Sequence, residues 1–127
     1  MARNEDDFPL KEESYTVIGC AMEVLNALGH GFHEKIYENA LVVECNARHI
    51  PVKQQQRFEV VHRGVQVGEF VPDLIVYDGI IVDTKTVECI GNHEKGQMLN
   101  YLKITHQRVG LIINFKHPRL EWERIVL

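Results

Sequence analysis

VPDLIVYDGIIVDTK, residues 71–85, is the stretch whose reading decides the fold. Val71, Leu74, Ile75 and Val76 form one apolar run, Ile80, Ile81 and Val82 a second, and a turn lies between them, as in two strands of a buried sheet. Three charges interrupt this stock: Asp73, Asp83 and Lys85. A charge taken out of water is costly and persists where it is paired or holds a metal. Asp83 and Lys85, two apart on a strand, share a face, and Thr84 points the other way. Asp73, on the neighbouring strand, joins them only if the turn permits. Asp78-Gly79 invites a two-residue hairpin loop, but that loop sets Asp73 opposite Thr84 and turns it away from the other two charges. One site for all three requires a three-residue loop, or a bulge beside the turn or near Pro72, whose missing N–H already breaks a ladder. The expected hairpin is therefore not the two-residue type.

Outward from this stretch the apolar period changes. Towards the N-terminus, residues 12–28 carry Tyr15, Ile18, Met22, Leu25 and Leu28 at helical spacing, and Gly29-His30-Gly31 ends that helix. A second helix is expected over 32–48, with Ile36, Ala40, Leu41, Val43 and Ala47, before Pro51. QQRFEVVHRG and VQVGEFVPDLIVYDG read as strands joined at His62-Arg63-Gly64, and IIVDTKTVE as a third. HEKGQMLNYLKITHQ reads as a helix despite Gly96, RVGLIINF as a strand buried on both faces, and LEWERIVL as a last, edge-type strand. The expected fold is mixed α/β in the order α-α-β-β-β-α-β-β. Its central strands lie near 67–76, 80–88 and 108–115, and helices near 12–28, 32–48 and 92–105 flank them.

The chain of 127 residues suits one domain with a real core, expected over 11–127 behind a flexible acidic tail at 1–10. Hydrophobic residues at 45% and charged ones at 25% are those of a soluble globular protein, and no apolar run approaches the roughly 18 residues of a membrane span. MARNEDDF is acidic and has no apolar segment, so no signal peptide is read there. Cys20, Cys45 and Cys89 are odd in number and form no CxxC pair, which suits reduced thiols in a cytoplasmic protein. The net charge of −4 argues against tight, nonspecific DNA binding by a monomer. However, Glu5, Asp6 and Asp7 carry much of that excess. If Glu34, Asp73 and Asp83 faced a metal, the remaining surface would be mildly positive, so a phosphate substrate is not excluded.

Two carboxylates at close range hold a hard divalent cation through oxygen, and without one they repel until one takes a proton. A lysine beside them stabilises a developing anion or places a water. A metal, an activated water and a cation near the transition-state charge are what phosphodiester hydrolysis needs. Asp-x-Lys alone is common on solvated strand faces. The preceding Pro-Asp and the apolar setting make this combination more specific.

Pro72-Asp73, then nine residues, then Asp83-Thr84-Lys85 resembles the signature of the PD-(D/E)XK nucleases. Gly31-Phe32-His33-Glu34-Lys35-Ile36-Tyr37 resembles the motif that names the GxxExxY proteins, a bacterial group of that superfamily. Gln97-Met98-Leu99-Asn100-Tyr101 looks like the QxxxY element of some exonuclease branches, and Gly110-Leu111-Ile112-Ile113-Asn114-Phe115 continues the likeness, which runs from about residue 12 to 125. The resemblance implies a Mg²⁺- or Mn²⁺-dependent nuclease acting on DNA or RNA. Asp73 and Asp83 would be metal ligands, with the backbone of Thr84 as a third contact. Glu34 would be the helical acid at the metal, Lys85 the residue that orients the water, and Gln97 and Tyr101 side chains lining the site. Asp83 stands where the family pattern has Glu, one methylene longer. The rival implication is a nuclease-fold scaffold or partner-binding subunit without catalysis.

Spacing adds to this independently. Gln97 and Tyr101 are i and i+4, with His93 on the same helical face. Glu34 falls in a first helical turn, where the dipole favours its charge; a plain helix-stabilising acid fits the same position. Tyr37 reads as a core residue with a tethered hydroxyl. His30, His33 and Glu34 are too closely spaced, and lack a fourth partner, for a zinc site. His49, His62, His106 and His117 are scattered. A small acidic protein that must hold a long substrate gains by assembling, so a homo-oligomer is the expected state.

Overall fold

The computed structural model describes residues 8–127. The acidic residues of the expected tail, 1–7, lie outside the described residues. Just ahead of the first helix, Arg124 donates to the Pro9 carbonyl, and Leu10 packs on the core.

Among the described residues three helices and seven strands follow one another: α1 (Lys11–Leu28), α2 (Glu34–Ala47), β1 (Val52–Gln54), β2 (Phe58–His62), β3 (Val65–Phe70), β4 (Leu74–Val76), β5 (Ile80–Lys85), α3 (Asn92–Thr105), β6 (Val109–Asn114) and β7 (Glu121–Val126). The main sheet has the order β1-β4-β5-β6-β7, with β5 and β6 parallel and the other neighbours antiparallel. β2 and β3 form a separate antiparallel pair. This is the mixed α/β architecture the sequence implied. Among the described residues no helix is long and apolar enough to cross a membrane.

The sheet has a helix layer on each face, and side-chain alternation assigns them. Leu74, Val76, Ile80 and Val82 face α1 and α2 in one apolar cluster, together with Val17, Ala21, Leu41 and Phe115. Ile75, Ile81 and Ile112 face the other way, onto Met98 and Leu102 of α3. All six residues of β6 are buried, as its unbroken apolar run requires. Gly110 sits where α3 crosses this strand, and a Cβ there would collide with the Met98 side chain.

Three expectations are corrected. Residues 67–76 do not form one strand. Pro72 has no N–H to give a ladder, and the chain leaves the β2–β3 pair at Phe70 and joins the main sheet at Leu74. β5 stops at Lys85 rather than 88 because side chains take the next donors: Glu34 Oε1 accepts from the Thr86 N–H (3.3 Å) and Asn114 Oδ1 from the Val87 N–H (3.0 Å). The helices bury only part of the faces read. Ile18 and Leu25 of α1 and Leu41 of α2 are buried as expected, but Tyr15, Met22, Leu28, Ile36 and Val43 are exposed, and Val17, Ala21, Val24, Tyr37 and Cys45 point inward in their place.

Cys20 and Cys45 are buried where α1 meets α2, and their thiols hydrogen-bond one another. That bond pulls Cys20 down to about 7 and pushes Cys45 up. Cys89 is exposed.

Candidate active site

The turn between β4 and β5 sets the site. Val76 pairs with Ile80, enclosing the three residues Tyr77, Asp78 and Gly79. Tyr77 and Asp78 both take left-handed backbone (φ 56° each), and the Gly79 N–H donates to the Val76 carbonyl (3.2 Å). Gly79 itself has no left-handed dihedral, and a Cβ there would lie 2.8 Å from Leu10 Cδ1, a contact that a shift of the leucine tip would relieve. Carried back past Leu74↔Val82, this register brings Asp73 level with Asp83. Where the β4 backbone has turned away, the Asp73 carboxylate takes its place as acceptor: Oδ2 receives the Thr84 N–H (2.9 Å) and hydroxyl (3.1 Å).

Glu34, Asp73, Asp83, Lys85 and Tyr101 line one cleft of about 230 Å³, closed on one side by Phe70. Lys85 Nζ lies 3.4 Å from Asp83 Oδ2, both side chains about one-fifth exposed. Burial, the Asp83 charge and the hydrogen bond that protonated Asp73 donates to Asp83 push Asp73 up to about 7 against the pull of the Thr84 N–H, and Glu38 adds to the rise. Asp83 is also raised by burial, but Lys85 and the hydrogen bond with Asp73 oppose the rise. Both carboxyls thus stand above the ordinary carboxylate range, and the two titrate as a pair. Burial draws Lys85 down, yet the Asp83 charge outweighs it and the lysine is raised. Tyr101, which lines the same cleft, is raised by burial and by Asp83.

Glu34 opens α2 and is turned towards the end of β5, where Oε1 meets Thr86. The Gly31…Glu34…Tyr37 motif is the device that sets it there. Gly31 (φ 87°) donates its N–H to the Phe115 carbonyl at 3.0 Å. Tyr37, fully buried and stacked on Phe115 (4.3 Å, 5°), donates to the Gly29 carbonyl (2.7 Å) and accepts from the Phe32 N–H (3.0 Å). The His33 ring caps α2 through the Lys35 N–H, and the His30 ring meets the Lys116 carbonyl. Gln97, half-buried one turn before Tyr101, is not among the cleft-lining side chains, and His93 is exposed.

Two residues beside the site escaped the sequence reading. Glu38 is 3% exposed and accepts from Lys35 Nζ (2.7 Å), Gln54 (2.5 Å) and Gln55 (3.0 Å), while the Gln55 N–H binds the Asp73 carbonyl (3.3 Å). Its signal was available: Glu38 is i+4 from Glu34 and so on the same helical face. Phe70 had no signal, because its place depends on the chain passing between two sheets.

Among the described residues no three His, Cys, Asp or Glu side chains are gathered to hold a metal between them. The Asp73–Asp83 pair nonetheless fits Mg²⁺ or Mn²⁺: both are hard oxygen donors, their mutual repulsion is relieved by a cation, and Mg²⁺ commonly takes one or two carboxylates and keeps its waters.

A mixed sheet carrying two carboxylates and a lysine at the mouth of one cleft, faced by an acid from the helix layer, defines a nuclease-like fold. The chain belongs to the PD-(D/E)XK nuclease superfamily, whose family model matches residues 11–125. No curated protein matches it significantly. It is similar to the crystal structure of SSO0001, with a TM-score of 0.58 and 16% identity over 96% of this chain and 58% of that one. At that identity the likeness is one of fold, and the chain spans 58% of the length of the structure it resembles.

Proposed function

We propose that the protein is a divalent-metal-dependent nuclease of the GxxExxY type that hydrolyses phosphodiester bonds of DNA or RNA. The observation that carries the reading is the convergence of Asp73, Asp83 and Glu34 in one cleft with Lys85, whose Nζ lies 3.4 Å from Asp83. Bound Mg²⁺ or Mn²⁺ would supply Lewis-acid help at the phosphoryl oxygen and lower the pKa of water. Asp73 and Asp83 would hold it, with Glu34 reaching it directly or through water.

The remaining steps belong to the chain. The Thr84 N–H fixes the Asp73 carboxylate, so its orientation costs nothing when substrate arrives. Lys85, kept protonated by Asp83, directs positive charge at the phosphate as negative charge develops there. Tyr101 offers a hydroxyl from α3, and Gln97 meets substrate beyond the cleft. The domain would span 11–127, act in the cytoplasm and assemble as a homo-oligomer to grip a long strand.

The test is cleavage of end-labelled single- and double-stranded DNA and RNA in Mg²⁺ or Mn²⁺, with Lys85→Ala as control. Cleavage lost in the variant and in chelator is the expected result. The shorter reach of Asp83 favours a second reading, a nuclease-fold scaffold that binds without cutting. Parent protein that cuts none of the four substrates would support the scaffold.

A further inference from the structure

We infer that the Phe70–Tyr101 ring pair is a stacking platform for an unpaired nucleobase next to the scissile phosphate, which makes the cleft a reader of single strands and frayed ends. The inference rests on the phosphodiester reading of the same cleft and adds the part of the substrate that the carboxylates do not address.

Phe70, the last residue of β3, stacks on Tyr101 of α3 with ring centroids 4.1 Å apart and planes at 14°. Both rings are half-buried and both line the cleft that holds Glu34, Asp73, Asp83 and Lys85. Pro72 and Asp73 follow Phe70 closely along the same wall, so the ring pair and the charged groups line a single cleft. A cleft of about 230 Å³ is below the roughly 300–1,000 Å³ of sites that enclose a whole small molecule. It therefore takes one unit of a longer substrate.

Charge explains why such a platform is needed. Three of the four charged side chains lining the cleft are acids, and the chain carries a net −4. Many of the surface cations are occupied: Lys35 by Glu38, Arg48 by Glu44, Lys53 by Asp78, Lys95 by Glu123 and Lys116 by Glu88. Affinity for nucleic acid from neutralised phosphates scales with the number of cations that meet them, and the cleft lining presents one, Lys85. Stacking of a base on an aromatic ring contributes about 1–3 kcal/mol per base without any charge. A neutral ring beside anionic groups addresses the neutral part of a nucleotide. A base can lie on a protein ring only after leaving its partner, hence the restriction to unpaired segments.

The experiment uses the full-length protein in Ca²⁺, with gels confirming that the strands stay uncut, and oligonucleotides carrying 2-aminopurine in DNA and RNA form. Stacking predicts fluorescence quenching on addition of protein to single strands, with clearly weaker binding to the blunt duplex. Phe70→Leu, which keeps an apolar anchor but no ring, loses the quenching and weakens single-strand binding about tenfold, and Phe70→Trp restores both. Overturning results are absence of quenching with both single strands, equal affinity for duplex and single strand, or a Phe70→Leu protein that quenches and binds like the parent. The first two need no variant, so poor folding of Phe70→Leu cannot shield the idea. Cleavage in Mg²⁺ is scored separately. Cutting without quenching removes the platform and leaves the nuclease reading, and quenching without cutting does the reverse.

Discussion

Asp73→Asn gives the sharpest reading of the carboxylate pair, because the side chain keeps its shape and loses only its charge. In the folded protein burial and Asp83 push Asp73 up to about 7 from an ordinary 3.8. Between those two values the folded state holds a proton that the unfolded state has released. Stability therefore falls as pH rises through this window, and the full cost is present above about pH 7. A shift of this size corresponds to an upper limit of about 4 kcal/mol at 1.36 kcal/mol per unit. Asp73 is not fully buried, and solvent screening reduces this to about 2 kcal/mol. Asparagine imitates the protonated acid: its Oδ1 accepts the Thr84 N–H, and its amide donates to Asp83. At pH 8 the variant should thus melt roughly 5–8 °C above the parent, and at pH 5 within about 2 °C of it. Taking the difference between the two proteins cancels the histidines, which titrate alike in both. Added Mn²⁺ should raise the parent at pH 8 and leave the variant nearly unmoved, since the ion binds only the intact pair. Differential scanning calorimetry at four pH values, with and without Mn²⁺, measures this. If the variant melts below the parent at pH 8, Asp73 is a structural anchor and the repulsion on which the metal reading depends is absent.

Gly96→Ala on α3 should stabilise the protein by about 0.5–1 kcal/mol in urea titration, because the position is exposed, has open space around it and costs a helix its backbone entropy. Gly110→Ala should do the opposite, by about 1–3 kcal/mol, through collision with the buried Met98; a neutral result would mean that α3 slides on β6 freely. Tyr37→Phe keeps the stack on Phe115 but abandons the Gly29 carbonyl and the Phe32 N–H. It should cost about 1–3 kcal/mol and raise amide exchange at Phe32, with loss of stability but unchanged exchange there counting against the loop-pinning role.

The sequence was most legible where a segment has only one way to be buried. The apolar run 109–114 is buried at every position, and its reading as a central strand needed no face to be chosen. The helices are apolar on more than one side, so their existence was clear while their orientation was not. In α1 Ile18 and Leu25 lie on the buried face, but the face centres on Cys20, Ala21 and Val24 and not on Tyr15 and Met22, and spacing alone does not set that centre. Small residues decide: Cys20 and Ala21 let α1 approach its neighbours, so the side that contains them goes inward. On α2, Tyr37 prevails over Ile36 because its hydroxyl finds two backbone partners in the loop before the helix. Partners distant in sequence supply the deciding contacts, so a local pattern does not contain them.

The candidate site turns on a count of one residue in the β4–β5 turn. Asp78-Gly79 argues locally for two loop residues, and a two-residue loop would have scattered the charges to opposite faces. Requiring Asp73 to meet Asp83 argues for three. The structure has three, and it obtains them at some strain, with Tyr77 in a left-handed conformation that non-glycine residues rarely adopt. Leu10 occupies the space over Gly79, Tyr77 donates its N–H to the Pro51 carbonyl at 2.9 Å, and both contacts come from outside the hairpin. Local turn preference is worth little more than about 1 kcal/mol of backbone bias at such positions, and these contacts offset it. Their consequence is that a half-buried acid stands level with a second acid, in one cleft with a lysine.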